Sequence, residues 1–227
     1  QIIHTYTSVC KYFFQILVTT IVVRKTKEEA QETRNLILDT AETVFSEKGV
    51  SRTTLNDIAK AADLTRGAIY WHFKNKADLF DAMLQRVILP MDEFIATPDL
   101  HPEQQPLAYL RIRSMHVVRT LAENPQIQRV FDIVMHKTEM VDDMLPIRDM
   151  HLETIQGCLQ TIETDFQAAI DKGELPASTN ARRAAIGLHS LIDGLFANYV
   201  LSPELFDLME QAEFTIDNYL HGLVNRK

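Results

Sequence analysis

From Ile37 onward, apolar residues return every three or four positions, and the few Gly and Pro residues fall mostly between the periodic stretches. Only an α-helix turns that rhythm into a continuous apolar face, and no segment alternates with the two-residue period of a strand. The expected fold class is therefore all-α.

Punctuation residues set the expected boundaries. Thr26 and Glu29 have capping-box spacing ahead of Ile37, Ala41, Val44 and Phe45, and Gly49 stops that run after Lys48. Thr54 with Asp57 opens a short second helix ending near Ala61, Thr65 opens a third, and Asn75 with Asp78 a fourth that ends or kinks at Pro90. Longer segments follow over 104–123, 125–138, 142–171, 180–201 and 206–224, with Asn124 and Pro125 as cap and first helical residue of the second of these. The chain divides into an extension (1–23), a small head (24–86) whose first three helices form the motif, and a larger helical body (87–227).

The extension differs from the rest. Its apolar run from Tyr12 to Val23 is broken by Gln15, Thr19 and Thr20. That run is too short for the roughly 20 apolar residues of a spanning helix, and the segment lacks the basic start and small-residue cleavage site of a signal peptide. Residues 1–21 are expected to lie outside the fold, and no membrane partner is expected.

Charge is divided unevenly. Residues 24–86 hold 11 Lys/Arg against 10 Asp/Glu, whereas residues 87–227 hold 11 against 21. Binding to a polyanion depends on cations that neutralise phosphate, so any nucleic-acid contact belongs to the head. Its residues suit that role. Two short helices three or four residues apart, the second carrying Arg66, Tyr70, Trp71, His72 and Lys74, have helix-turn-helix spacing. Thr65 caps the second helix, Arg66 projects where a guanine edge would lie, and Gly67 lets backbone approach closely. Tyr70, His72 and Lys74 reach flanking phosphates, as do Thr53, Thr54 and Lys76 at neighbouring helix starts. A packing hairpin with a charged face shares the spacing.

The string from Arg24 to Phe80, above all TRGAIYWHFKNK, resembles the DNA-binding domain of TetR-family repressors, especially the AcrR branch controlling multidrug efflux. Asp63 stands where that family usually has Gly in the turn, and Asp tolerates the left-handed conformation. Met135 to Met144 and Arg182 to Leu208 also resemble the branch. The resemblance implies a homodimer made through the last two helices and a pocket in the body for a small apolar or cationic inducer; two-fold symmetry then suits a palindromic double-stranded operator, and two cysteines without CxxC spacing suit a reducing, cytoplasmic setting. A regulator of the same fold answering one metabolite, such as an acyl chain, is the alternative.

An inducer pocket is apolar with a few orienting polar groups. His116, Arg119, His136, Glu139 and Asp193 interrupt apolar helix faces, and Met115, Met135, Met140, Met144 and Phe196 supply adaptable surface. Asp193, between Ile192 and Leu195, is expected to be a buried acid awaiting a cation. The dimer face is expected from Ala184, Ala185, Leu188, Leu191, Ile192 and Leu195 with Phe214, Ile216, Tyr219, Leu220 and Leu223. His136 and Glu139 have two-ligand spacing but no second pair, so neither a metal nor another cofactor is expected. Cys158 and the serines lack a catalytic motif and no Gly-rich phosphate loop occurs, so no enzyme is expected.

Overall fold

The computed structural model describes residues 3–92, 103–139 and 145–225, with side chains over 26–88, 103–139 and 145–225. Helices are the only regular elements among these residues: α1 (Ile3–Lys48), α2 (Leu55–Ala61), α3 (Arg66–His72), α4 (Lys76–Asp92), α5 (Pro106–Glu123), α6 (Pro125–His136), α7 (Leu145–Asp171), α8 (Ala181–Leu201) and α9 (Leu208–Val224). The fold is all-α, as the periodicity predicts.

The local signals act where they were read. Thr54 and Asp57 complete a reciprocal capping box, Thr65 accepts from the Ala68 amide, and Asn75 accepts from the Asp78 amide at 2.8 Å. Asn124 accepts from both Gln126 and Ile127 at the start of α6. Asp63 takes the left-handed conformation (φ 55°), which lets the Leu64 amide reach the Ala59 carbonyl at 2.8 Å and close the turn. Two boundaries differ. No Pro or Gly interrupts residues 3–48, so α1 runs through Thr26, which is interior to the helix. Pro90 likewise lies inside α4, which continues to Asp92.

Head and body share one continuous core. In the head, Phe45 and Phe80 meet at 6.1 Å between ring centroids and pack with the fully buried Ile37, Ile58, Ile69, Leu79 and Met83. In the body α7 lies along α8, and α5 along α9. Arg113 of α5 pairs with Asp165 of α7, and Arg111 binds Asp217 and Glu213 of α9. The head is fixed to both ends of α6. Gln126 donates to Glu42 of α1 at 2.8 Å, and the Val50 amide donates to the Lys137 carbonyl at 2.9 Å.

The expected dimer face divides. Ala184, Ala185 and Leu188 of α8 and Ile216, Leu220 and Leu223 of α9 are buried within the protomer, because the two helices pack on each other and on α5 and α7. Tyr219 is spent there too, donating to the Ala184 carbonyl at 2.9 Å. Phe214 stays 65% exposed, and Ile186 is also outward-facing.

Candidate nucleic-acid interface

Helix α3 is anchored by little of itself: Ile69 is buried in the helix and Phe73 just beyond it, while Thr65, Arg66, Gly67, Tyr70, Trp71 and Lys74 face solvent. An element so short is held by those two anchors and the Thr65 cap, leaving its other faces available. Arg66 lies over the Tyr70 ring, 5.4 Å from its centroid, which limits the guanidinium's freedom before any ligand arrives. Trp71 is 73% exposed and meets His72 edge-on. Burial and the Arg34 guanidinium lower the His72 pKa. Arg34, which the sequence reading did not single out, reaches this surface from α1 and stacks 4.9 Å over Phe73.

Gly67 is instructive. Its backbone is ordinary helix, and an added Cβ would meet nothing nearer than the Thr65 hydroxyl at 3.9 Å. Glycine costs a helix about 0.5–1 kcal/mol relative to alanine, and no internal contact here requires it.

Two expected contacts are corrected. Thr53 is 1% exposed and donates its hydroxyl to the Gly49 carbonyl at 2.8 Å. Lys76 directs its ammonium to the Val50 and Ser51 carbonyls at 3.0 and 3.3 Å. Both hold the loop between α1 and α2 in place instead of facing outward. Thr54 is exposed, but its hydroxyl is committed to Asp57 at 2.6 Å.

Among the described residues, the expected inducer positions lie on several helices of the body. Met115 and Arg119 line a shallow cleft of about 250 Å³ between α5 and α9, with Arg111, Ile112, Met209, Glu210 and Glu213. His116 lies a turn before Thr120, which donates to the His116 carbonyl at 2.9 Å. Met135 is half-buried near the end of α6, and Glu139 beyond it is exposed. His136 bonds the Ala197 carbonyl at 2.9 Å, and Phe196 is core, edge-on to Phe131 at 5.4 Å. Met140 and Met144 lie outside the described residues.

Asp193 is not a buried acid without a partner. It is 42% exposed and accepts from His189 one turn earlier at 3.1 Å. That bond, then one to Cys158, raises the His189 pKa to about 9 despite burial. Because the folded-state value lies above the ordinary 6.5 of the ring, the stability gained from charging His189 is complete below pH 6.5 and is lost as pH rises through 9. The melting advantage of the wild type over His189→Gln should thus be largest near pH ~6 and fade by about pH 10. A constant difference across that range would show that the imidazolium contributes nothing.

Residues 37–83 match the bacterial regulatory proteins of the tetR family, and residues 105–224 match the C-terminal region of the MAATS-type transcriptional repressors. The HTH-type transcriptional regulator TtgR of Pseudomonas putida is 39% identical over 201 residues, 88% of this chain and 96% of that protein. NalD, the secondary repressor of the MexAB-OprM multidrug efflux pump in Pseudomonas aeruginosa, superposes with a TM-score of 0.75 at 33% identity, covering 88% of this chain and 100% of its own. SmeT, the repressor of the Stenotrophomonas maltophilia pump SmeDEF, solved as a triclosan complex, superposes with a TM-score of 0.72 at 32% identity, covering 84% and 91%.

Proposed function

This chain belongs to the tetR family of bacterial regulatory proteins, and on that premise we propose that it represses a multidrug efflux operon and leaves its operator when a small drug binds. The observation that carries the reading is α3: a solvent-facing helix with a pre-positioned Arg66, an exposed Tyr70 and Trp71, and a glycine that the fold itself does not need. A duplex approaching the start of α3 supplies the reason for that glycine. In this reading Thr65, Arg66, Gly67, Tyr70, Trp71 and Lys74 meet DNA, within a head spanning 24–86 and a ligand-binding, dimer-forming body spanning 87–227. The efflux assignment rests on the regulatory roles named for NalD and SmeT, and the apolar inducer on the triclosan complex of SmeT.

A homodimer suits the same geometry. Helix α8 has a mean hydropathy of 1.3, yet only 22% of that apolar stretch is buried inside the protomer. Its outward Ile186 and the exposed Phe214 of α9 offer a second copy an apolar face. Two-fold symmetry then presents two α3 helices to successive major grooves of a palindrome in the cytoplasm.

Arg66→Ala is expected to weaken binding to the cognate operator by about 1–3 kcal/mol, or about 5- to 150-fold, and to change affinity for scrambled duplex far less. Titrations of both duplexes over a salt series measure the two effects. Equal losses on both would remove Arg66 from base reading.

A further inference from the structure

Glu42 of α1 is, among the described residues, the charged side chain buried most completely, and the groups around it come from the two helices that tie head to body. Gln126 of α6 donates to Oε1 at 2.8 Å, and Arg129 of α6 lies 3.6 Å from Oε2. Arg86 comes from α4, which buries Leu79, Phe80 and Met83 in the head and packs on α5, α6 and α7 of the body. Helix α3 ends at His72 and α4 begins at Lys76, so a shift of α4 carries the solvent-facing α3 with it.

The Arg86 fork is half used. Nη2 donates to Asp39 of α1 at 2.6 Å, whereas Nη1 is buried and has no hydrogen-bond partner among the described residues. Glu42 Oε1 lies 3.7 Å from that idle nitrogen. Asp39 and Glu42 stand three residues apart on α1 and so share a face. An unpaired buried donor is unfavourable, and an ordinary N–H···O separation is about 2.9 Å. An approach of about 0.8 Å would therefore let one guanidinium bridge both carboxylates. Oε1 has a second lone pair to accept it beside Gln126.

We propose that Arg86 is a positioning residue with two settings, one that binds operator and one that releases it. In the operator-binding setting it holds Asp39 and stands off Glu42, as seen here. An inducer inserted among the body helices displaces α4, Nη1 closes on Glu42, and α3 is carried off its groove. The closed bridge then stabilises the released form, because a buried donor that was idle is now paired. This inference deepens the repressor reading above and rests on it.

Asp39→Ala and Arg86→Met remove the same ion pair, so a purely structural role gives both the same sign. The two settings give opposite signs. Asp39→Ala frees the guanidinium to swing onto Glu42, so it should weaken operator binding and lower the triclosan concentration for half-release, each at least about fivefold. Arg86→Met keeps the apolar stem but cannot close. It should leave operator affinity within about twofold and raise the half-release concentration at least about fivefold. Gel shifts of the full chain measure both quantities, with circular dichroism melts as the check on folding, and Arg86→Gln replaces Arg86→Met should the latter fail to fold. Changes of equal sign, or a triclosan requirement that Arg86→Met does not move, overturn the inference. If triclosan leaves the wild type on its operator, the drug arm of the repressor reading fails and the operator affinities alone decide. Loss with Asp39→Ala but not with Arg86→Met then upholds the switch, and loss with both or with neither overturns it. A wild type that binds no operator overturns the repressor reading itself and this inference with it.

Discussion

Phe45→Ala is expected to cost the protein about 3–5 kcal/mol, a sizeable share of the roughly 5–15 kcal/mol that holds a typical domain folded. The ring is fully buried and tilted 57° against Phe80, so its removal leaves a void at the point where α1 meets α4. The loss should reach DNA, because α3 rests on the same core only through Ile69 and Phe73. Urea titration followed by circular dichroism should show the transition at lower urea than in the wild type, and gel shifts should show operator binding lost with it. Phe45→Leu, closer in volume, should recover most of the stability. A Phe45→Ala protein within about 1 kcal/mol of the wild type would mean that this core closes over the void.

The second large effect belongs to Glu42, whose carboxylate is 1% exposed. It accepts from Gln126 at 2.8 Å and lies 3.7 and 3.6 Å from Arg86 and Arg129. Glu42→Ala removes the acceptor from Gln126 and the nearby carboxylate from Arg129, while Arg86 keeps Asp39 at 2.6 Å, and should cost about 2–4 kcal/mol. Both arginines keep some solvent contact, which holds the loss below that of a fully sealed pair. Glu42→Gln retains an acceptor and should cost much less. Burial raises the Glu42 pKa more than Gln126 and the arginines lower it. An acid whose folded-state pKa exceeds its unfolded value loses stability as pH rises between the two. The deficit of Glu42→Gln relative to wild type should therefore shrink from about pH 4 to neutrality, as read by chemical denaturation at both. Equal stabilities for the Ala and Gln variants would mean that the acceptor at this position is dispensable.

What the sequence made legible was whatever depends on near neighbours. The capping of α2, α3, α4 and α6 needs only Thr54, Thr65, Asn75 and Asn124 with amides two or three residues on, and all four act as read. The start of α1 was misread for a physical reason: Thr26 has the spacing of a cap, but a cap matters only where something ends the helix before it. The exposed face of α3 was legible because residues 65–74 are contiguous. Thr53 and Lys76 were not, since their fates are set by the loop after Gly49, whose carbonyls claim both side chains. The body was least legible. The pairing of Asp193 is hidden in the sequence because its bond to His189 depends on a rotamer.

The double attachment of α6 has a mechanical meaning. A rod pinned at one end can slide or swivel under its load, whereas one pinned at both ends must carry the load with it. Helix α6 is held by Gln126 at one end and by the Lys137 carbonyl at the other, and its 12 residues make a strut about 18 Å long. Tilting such a strut by about 10° shifts one end by about 3 Å relative to the other. A distortion of that size in the body is close to the spacing of successive base pairs, so α6 would transmit it to the head as a misregister at the groove instead of absorbing it as slack.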